Sequence, residues 1–539
     1  MGVLSKFVAA VVATTAVFAP AAYAQRPMEN LGRGVVAVRS NETAVLLLNS
    51  KVLTGGTNFH DLNPDFAETN TYHVRPVLNG KEEADSGKFT LAANNAAEPV
   101  VRIPIKSGGV IKYLWVGDLD GDGTAPSTLE AYRSDGKFLW EINMGPNSVN
   151  QNNIEPGSSA LNVGHWDGIT VYDFDSDGKA EVAVRIANGV VFRDGKTFSD
   201  GNGDDDQYIA IINGETGALR WCHAASCNVF EEPTAGSGCV QPYHGAWKFD
   251  GKAVKLAWRW LRGDQDASDG HNTRIIDLNG DGKDEVCEIG FALNGDGTLR
   301  YSLAGQGVFH GDRFHISKMD PSRDDLQGYG IQQDNPSLLM EYYYDASTGK
   351  LIWEHFGTEI GDVARGMAGD IDPRSPGMEV WAFDGVYNAA SNKLTEEDTT
   401  LAPRPQLGLW WDGDALMELY NDGKFEQWDW LKPTVSGKTP RILKISDYGG
   451  SVSTRNPLFL GDILGDWREE VVVTNADYDE LLIFSTNIPS DIRLYTLPHN
   501  PAYRNAMTLK GYMQSHHVDY FLGDGMETPP KPNIYYVGA

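Results

Sequence analysis

Two loops of the sequence carry acidic side chains whose types and spacing suit a hard divalent cation. In DFDSDGKAE, which starts at Asp173, oxygen ligands fall at the first, third, fifth and ninth positions, and Gly178 lets the loop fold back on itself. DLNGDGKDE, which starts at Asp277, repeats the pattern. Hard oxygen ligands at this spacing are typical of calcium sites. The candidate ligands are Asp173, Asp175, Asp177, Glu181, Asp277, Asn279, Asp281 and Glu285.

Several further acidic loops match this pattern more loosely. The copy at Asp118 has three aspartates, but Pro126 stands at its ninth position and no valine-rich strand follows it. Because acid-rich turns are common in proteins, solvated turns without a metal are the alternative for every loop. The looser loops add the candidate ligands Asp118, Asp120, Asp122, Asp320, Asp370, Asp372 and Asp462.

The elements that must position these loops are short strands. A β-rich run follows each strong loop, and a second recurring unit, a turn plus an aromatic strand, ends at Trp140, Trp221, Trp353 and Trp428. Most acidic loops are separated by roughly 40–50 residues or by twice that, which is typical of propeller blades. We therefore predict an all-β chain that forms a β-propeller of about seven or eight blades. A parallel β-helix is the alternative, and the hairpin-like turns and the long period disfavour it.

The N-terminus has the features of a secretory signal peptide. Lys6 precedes an apolar run, and residues 22–24 read Ala-Tyr-Ala, the small-x-small pattern that signal peptidase recognises. The run is short for a membrane span. We expect residues 1–24 to be removed and the protein to be secreted and extracellular. Because the sequence contains no linker or low-complexity tract, residues 25–539 are predicted to form a single domain.

The four cysteines of the chain are an even number. In an oxidising compartment they could form up to two disulfides, whose pairing the sequence leaves open. A bond between Cys222 and Cys227 would close a short loop.

The net charge of -29 and the pI near 4.7 argue against nucleic acid or an anionic membrane as the main partner. An acidic protein that acts on a polyanion needs local cations at its cleft, from arginine, lysine or bound metal. No motif of a serine hydrolase, zinc protease or phosphate-binding loop is present.

Several longer stretches of the chain resemble one known family, the family 11 polysaccharide lyases, which are rhamnogalacturonan lyases. The resemblance implies an eight-bladed propeller with several calcium ions, and β-elimination at a galacturonate joined through O4 to rhamnose. Residues of about 30–105 would then form a small β-sandwich-like part or close the propeller. The stretches that carry the resemblance, in chain order, are RGVVAV at Arg33, HGDRFH at His310, DVARGMAGDIDPRSPGMEVWA at Asp362, GLWWDGD at Gly408, GDILGDWREEVV at Gly461, RLYTLPHNPAYR at Arg493 and FLGDGM at Phe521.

The resemblance also implies site residues. It places Arg365 in the cleft, Tyr512 near the sugar and His310 at an active-site or metal position, so these three are candidate catalytic residues. His271 and Asp312 are further candidate metal ligands beside His310.

One stretch departs from the family pattern. Where the family has lysine in an Asn-Gly-Thr-Lys stretch, this chain reads SVSTRNP, so Thr454 or Arg455 takes the lysine's place. An arginine can bind a carboxylate bidentately but is a poor base. Arg455 is therefore a candidate catalytic residue, and Thr454, His517 and Trp411 are candidate substrate-binding residues.

Two function classes follow from these observations. The first is a lyase of endo or exo action whose partner is an acidic pectic polysaccharide and whose chain is expected to be a monomer. The second is a calcium-dependent propeller that binds acidic polysaccharide without cutting it. A lyase for another rhamnose/uronate polymer and a two-carboxylate hydrolase remain as weaker alternatives.

Overall fold

The structure is a computed structural model, and it describes most of the chain after the predicted signal peptide, whose residues 1–24 lie outside the described part. The described residues are 25–28, 35–40, 43–48, 58–73, 75, 77–78, 80–82, 88–106, 111, 114–116, 130–133, 136–148, 169–201, 203, 207–224, 243–249, 252–262, 265–268, 270–435, 437–452, 456–508 and 513–536.

Six antiparallel sheets of four or five strands repeat along the described residues, and we number them blades 1 to 6. Blade 1 contains Ile169–Tyr172, Glu181–Ala187, Gln207–Asn213 and Leu219–Ala224. Blade 2 contains Arg274–Ile276, Glu285–Cys287, Phe291–Leu293 and Leu299–Ser302. Blade 3 contains Phe314–Ser317, Gln327–Ile331, Leu339–Asp345 and Lys350–Phe356. Blade 4 contains Met367–Gly369, Glu379–Trp381, Val386–Asn388 and Lys393–Leu394.

Blades 5 and 6 complete this series. Blade 5 contains Leu407–Leu409, Glu418–Asn421, Lys424–Glu426 and Arg441–Lys444. Blade 6 contains Gly450–Ser451 and Phe459–Gly461, which both pair with Glu470–Asn475, followed by Glu480–Phe484 and Val100–Pro104. The last strand comes from almost 400 positions earlier in the chain and lies with Val101 opposite Ile483. The final blade is thus built from both ends of the chain, a connection that closes a ring of blades.

Two hairpins account for part of the difference between these six blades and the seven or eight expected from the spacing of the acidic loops. Glu130–Tyr132 pairs with Phe138–Glu141, and Tyr243–Phe249 pairs with Val254–Leu261, each as a two-stranded sheet. The loop at Asp118, which the spacing counted as a blade loop, lies outside the described residues. The expected number was therefore too high for the described part of the chain.

The remaining described strands lie near the N-terminus, apart from one. They are a three-stranded sheet of Val35–Ser40, Thr43–Leu48 and Asn58–Asp61; the pairs Asn70–Tyr72 with Phe89–Leu91 and Val77–Leu78 with Lys81–Glu82; and Arg26–Met28, which lies parallel to Ile534–Tyr536. Helical turns are short: Gly145–Ser148, Ala304–Gln306, Ile445–Tyr448, Leu497–His499 and Pro501–Thr508. Among the described residues no helix has the length and apolar character needed to cross a membrane.

The repeated turn-plus-aromatic unit packs each sheet onto the next. Trp140 donates a hydrogen bond to the carbonyl of Gly214 in blade 1, and Trp353 of blade 3 donates one to the carbonyl of Ala389, which follows a strand of blade 4. A Cβ on Gly217 would lie only 2.7 Å from the Trp140 ring, so glycine at this turn leaves the space that the ring occupies. Gly297 stands in the same relation to Trp258. The repeat visible in the sequence is therefore a contact between successive sheets.

The C-terminal segment 513–518 lies against the first strands of several blades. The hydroxyl of Ser515 accepts a hydrogen bond from the backbone of Gly408 in blade 5 at 2.7 Å. Ser317 of blade 3 donates to the carbonyl of Val518 at 2.9 Å, and the ring of His516 lies 6.0 Å from that of Phe459 in blade 6. This central segment therefore links strands of blades 3, 5 and 6.

Candidate functional site

Two histidines and a carboxylate meet where the loops before blades 2 and 3 come together. Nε2 of His271 and Nε2 of His310 lie 3.2 Å apart, with their rings nearly perpendicular, and Oδ1 of Asp312 lies 3.5 Å from Nε2 of His271. Gly270 and Gly311 bridge the two loops, and any Cβ on either glycine would collide with backbone. Burial raises the pKa of Asp312, and the neighbouring His271 opposes that shift. The predicted grouping of His271, His310 and Asp312 is present as a geometric cluster.

Three guanidinium groups lie around this cluster. Arg274 and Arg313 are buried, at 7% and 4% exposure, at the start of the inner strands of blades 2 and 3. Arg365 is half-buried on the loop before blade 4, next to Ala364, whose φ of 59° is in the left-handed region. Burial lowers the pKa of Arg313 to about 9, and the nearby charges of Arg365 and Arg274 act in the same direction. Three arginines therefore lie near this cluster in a protein whose net charge is negative.

Three predicted site residues, Thr454, Arg455 and Tyr512, lie outside the described residues. Described residues close to them in the sequence form hydrogen bonds that lead to Arg313 and Arg274. Nε2 of Gln406 donates to Oδ1 of Asn456, the residue directly after Arg455, and the carbonyl of Gln406 accepts a hydrogen bond from Arg313. The carbonyl of Ser515, three residues after Tyr512, accepts from Arg274 at 3.0 Å.

Two predicted substrate-binding residues lie in the interior instead. Trp411 is 2% exposed and packs its ring 4.3 Å from that of Phe425, so a sugar cannot stack on it. His517 is 5% exposed, and its Nε2 lies 3.2 Å from Nδ1 of His315. Burial lowers the pKa of His517 to about 3. Trp411 is a core residue and His517 a buried residue of the central segment.

The first strong acidic loop has the predicted convergence. Carboxylate oxygens of Asp173, Asp175 and Asp177 lie within 4.8 Å of one another. The carboxylate of Asp173 accepts hydrogen bonds from the backbone of Asp177 and Gly178. These bonds fold the loop back at Gly178, as the sequence predicted. Burial raises the pKa of Glu181 to about 7, and the adjacent Asp175 adds to this shift. Arg220 from the outer strand pairs with both Asp175 and Glu181.

The loop at Asp277 folds in the same way, but its carboxylates pair with an arginine from another part of the chain. Asp277 accepts from Gly280 and Gly282 at 2.7 and 2.8 Å, and Glu285 accepts from Leu278 at 2.8 Å. Arg26, from the N-terminal strand, lies 3.4 Å from Asp277 and 2.7 Å from Asp284. The loop therefore also fastens the start of the described chain to blade 2.

Sequence reasoning missed one acidic site, on blade 5. Oxygens of Asp412, Asp414 and Glu418 lie within 4.8 Å of one another. Oε2 of Glu418 accepts from the backbone of Trp411 and Asp412, while its buried Oε1 has no hydrogen-bond partner among the described residues. The signal was available in DGDALME, where acids stand at the first, third and seventh positions, but the spacing is two residues shorter than in the strong loops.

The aspartates of the looser loops differ in their bonding partners. Asp370 is buried, its pKa is raised to about 7 by burial, and its Oδ2 accepts from the backbone of Asp524 at 2.6 Å. Asp372 instead pairs with Arg374. Both oxygens of Asp462 accept hydrogen bonds, from Gly465, Thr496 and Leu497.

Two more loop aspartates contact residues of their own loop. In the Asp462 loop, Asp466 forms a fully buried ion pair with Arg468. Asp320 caps a turn by accepting from the backbone and hydroxyl of Ser322. Asp118, Asp120 and Asp122 lie outside the described residues.

The structure also bears on the cysteines. Cys222 and Cys287 are free thiols. Cys227 and Cys239 lie outside the described residues. The suggested partner of Cys222 thus lies outside the described residues, and the pairing stays a prediction.

A ring of antiparallel blades joined by acidic turn loops is the architecture of a β-propeller. Comparison with known proteins identifies the family to which this propeller belongs. A model of the C-terminal domain of rhamnogalacturonan lyase family 11 matches residues 115–219 and 241–532. The chain belongs to rhamnogalacturonan lyase family 11.

Individual relatives match the chain over nearly its full length. It is 32% identical to rhamnogalacturonan endolyase YesW of Bacillus subtilis, over 95% of this chain and 94% of that protein. It is 29% identical to rhamnogalacturonan exolyase YesX of the same organism, over 96% and 98%. The crystal structure of YesW superposes with a TM-score of 0.80 at 30% identity, over 95% of this chain and 100% of that one. A Bacillus licheniformis rhamnogalacturonan lyase gives 0.79 at 29% identity, over 95% and 100%.

Proposed function

We propose that this protein is a secreted lyase that cleaves the rhamnose-(1,4)-galacturonate linkage of rhamnogalacturonan I by calcium-assisted β-elimination. The observation that carries the proposal is the group of Arg274, Arg313 and Arg365 beside His271 and His310, in a chain whose net charge is -29. Membership of the lyase family supports the same reaction.

The reaction has three chemical demands. A cation must neutralise the galacturonate carboxylate so that the C5 proton becomes acidic, and a base must take that proton. The C4–O4 bond then breaks as a double bond forms between C4 and C5, and the departing O4 becomes a hydroxyl of rhamnose. The half-buried Arg365 is the candidate cation for the carboxylate, and Arg455 is a second candidate from the sequence. His310, whose Nε2 faces that of His271, is the candidate base.

The acidic loops fit calcium. Carboxylates converge within 4.8 Å at Asp173, Asp175 and Asp177 and again on blade 5, where a buried oxygen of Glu418 lacks a hydrogen-bond partner within the described structure. These oxygen-only sets match the hard-ion preference of calcium. When bound, calcium would supply positive charge that holds the loops in shape and offsets the charge of the substrate. His271 and Asp312 would hold such an ion nearest to the sugar.

The proposal is tested by following the near-ultraviolet absorbance of unsaturated uronate with rhamnogalacturonan I as substrate. We expect a rise with calcium, its loss with chelator, and a loss of about 10–100-fold in kcat/KM for Arg365→Ala. Arg441→Ala, which removes an exposed arginine from the outer strand of blade 5, is the matched control. A flat trace from folded, calcium-loaded protein would reject the lyase and leave binding without cleavage, which a polysaccharide titration would then measure.

Secretion and a monomeric state complete the proposal. The signal-peptide pattern supports secretion, and mass spectrometry of protein from the culture medium should show a chain that starts at Gln25. Light scattering should give the mass of a monomer.

A further inference from the structure

A second pair of histidines lies in the interior, beneath the loop that carries Arg365. His315 is a residue of the inner strand Phe314–Ser317 of blade 3 and is fully buried. Its Nε2 lies 3.0 Å from the carbonyl oxygen of Gly366, and its Nδ1 lies 3.2 Å from Nε2 of His517 in the central segment. Both ring nitrogens of His315 are therefore hydrogen-bonded, one to the neighbour of Arg365 and one to the central segment.

The carbonyl of Gly366 determines where the protons of both rings lie. A carbonyl oxygen only accepts, so Nε2 of His315 must carry a proton. Burial lowers the pKa of His315 well below its ordinary value, and the nearby His517 and Arg274 add to this shift, so the ring is neutral and its Nδ1 is an acceptor. Nε2 of His517 must then donate. Nδ1 of His517 is left without a proton, and it has no hydrogen-bond partner among the described residues.

The residues beside Arg365 form a tight turn that is held at both ends. The amide of Val363 donates at 3.2 Å to the carbonyl that follows the second strand of blade 3, and the amide of Arg365 donates to the carbonyl of Val363 at 2.6 Å. Ala364, between them, has a φ of 59°, in the left-handed region that residues other than glycine rarely adopt. Such a conformation persists only where the surrounding structure holds it. The bond from His315 to Gly366 is the hold at the far end of the turn.

We propose that His315 is a positioning residue for Arg365: it holds the carbonyl of Gly366 at the end of the turn, and His517 keeps His315 in the tautomer that donates. The catalytic consequence rests on the proposed function, in which Arg365 meets the galacturonate carboxylate, whereas the structural part stands independently. A guanidinium binds both oxygens of a carboxylate only in a fixed orientation, so a shift of its backbone weakens that contact.

Nitrogen NMR of protein labelled with 15N-histidine tests the tautomers in the wild type. We expect both rings to be neutral at neutral pH and to carry their proton at Nε2 alone. The two sets of signals are assigned by their loss in His315→Gln and in His517→Gln. A proton at Nδ1 of His315, or a positively charged ring there, would overturn the proposal, because His517 would then have no donor role.

Hydrogen–deuterium exchange tests the hold on the turn without any activity. Glutamine at position 315 can place an amide N–H near the position of Nε2, whereas asparagine is too short to reach Gly366. His315→Asn should therefore speed exchange about tenfold in peptides covering 362–368, and His315→Gln should stay close to the wild type. His355→Asn is the matched control, because it makes the same change on the outer strand of blade 3, where His355 bonds to Glu341. It should leave these peptides unchanged.

A double-mutant cycle tests the catalytic part. His315→Asn should lower kcat/KM about tenfold in the wild-type background but less than about twofold beside Arg365→Ala, and His315→Gln should restore most of the activity. Equal effects of His315→Asn in both backgrounds, or equal losses for asparagine and glutamine, would overturn the proposal and leave His315 as a general core residue. An inactive wild type that shows the expected tautomers and exchange pattern would reject the proposed function alone.

Discussion

The acidic site on blade 5 gives a direct test of calcium binding. In Glu418→Gln the side chain keeps its size and the oxygen that accepts from Trp411 and Asp412, but it loses the charge that faces Asp412 and Asp414. If the site binds with a Kd of about 10 μM, 1 mM calcium stabilises the folded protein by about 2.7 kcal/mol. Loss of one charged ligand should weaken the site at least about tenfold, which lowers that stabilisation to about 1.4 kcal/mol or less.

The assay compares calcium titrations and thermal unfolding, with and without chelator, for the wild type, Glu418→Gln and Glu426→Gln. Glu426 is the matched control, because it is buried on the same blade but bonds to Asn421 and belongs to neither of the carboxylate groups found among the described residues. Glu418→Gln should bind one calcium ion fewer at low calcium concentration and lose part of the calcium-dependent rise in midpoint. An unchanged stoichiometry, or equal losses in both variants, would refute the assignment of a calcium site to this loop.

Two further predictions concern the site and the central segment. Arg455→Lys should lower kcat/KM about tenfold, because a lysine cannot bind both oxygens of a carboxylate; steady-state kinetics measures this, and a gain over wild type would show that the position needs a base. Because burial lowers the pKa of His517 to about 3, the unfolded chain takes up a proton near pH 6.5 that the folded one does not. The free energy of unfolding should therefore fall as the pH drops from about 6.5 towards 3, by up to about 1.4 kcal/mol per pH unit from this residue. His517→Gln should reduce that slope in urea unfolding, and parallel slopes would contradict the assignment.

The sequence predicted the parts of the molecule that local patterns encode. The loops at Asp173 and Asp277 and the tryptophan-bearing turns are short-range signals, and the structure shows both in repeated antiparallel sheets. The number of blades was overestimated, because the spacing counted the loop at Asp118 as the start of a blade, whereas the described strands that follow it, Glu130–Tyr132 and Phe138–Glu141, form a two-stranded hairpin.

Residues whose role depends on distant packing could not be predicted. Trp411 lies beside an acidic turn in sequence, yet its ring faces Phe425 in the blade interior. Arg274 and Arg313 gave no signal, because their partners Ser515 and Gln406 are 241 and 93 positions away. The histidine pair was recovered through resemblance, since the positions of His271 and His310 in the sequence do not show that their rings meet.

The charge distribution of the protein leads to a prediction about salt. Far from the site, a protein of net charge -29 repels an anionic polymer, whereas at the site the half-buried Arg365 would attract its carboxylates. The screening length falls from about 30 Å at 10 mM salt to about 8 Å at 150 mM, so added salt weakens the long-range repulsion more than it weakens contacts in the half-buried cleft. At fixed calcium, kcat/KM on the polymer should therefore rise across this range and change little on a short oligosaccharide, which carries fewer charges. A steady fall with salt on both substrates would mean that the local arginine contacts, rather than the net charge, control encounter.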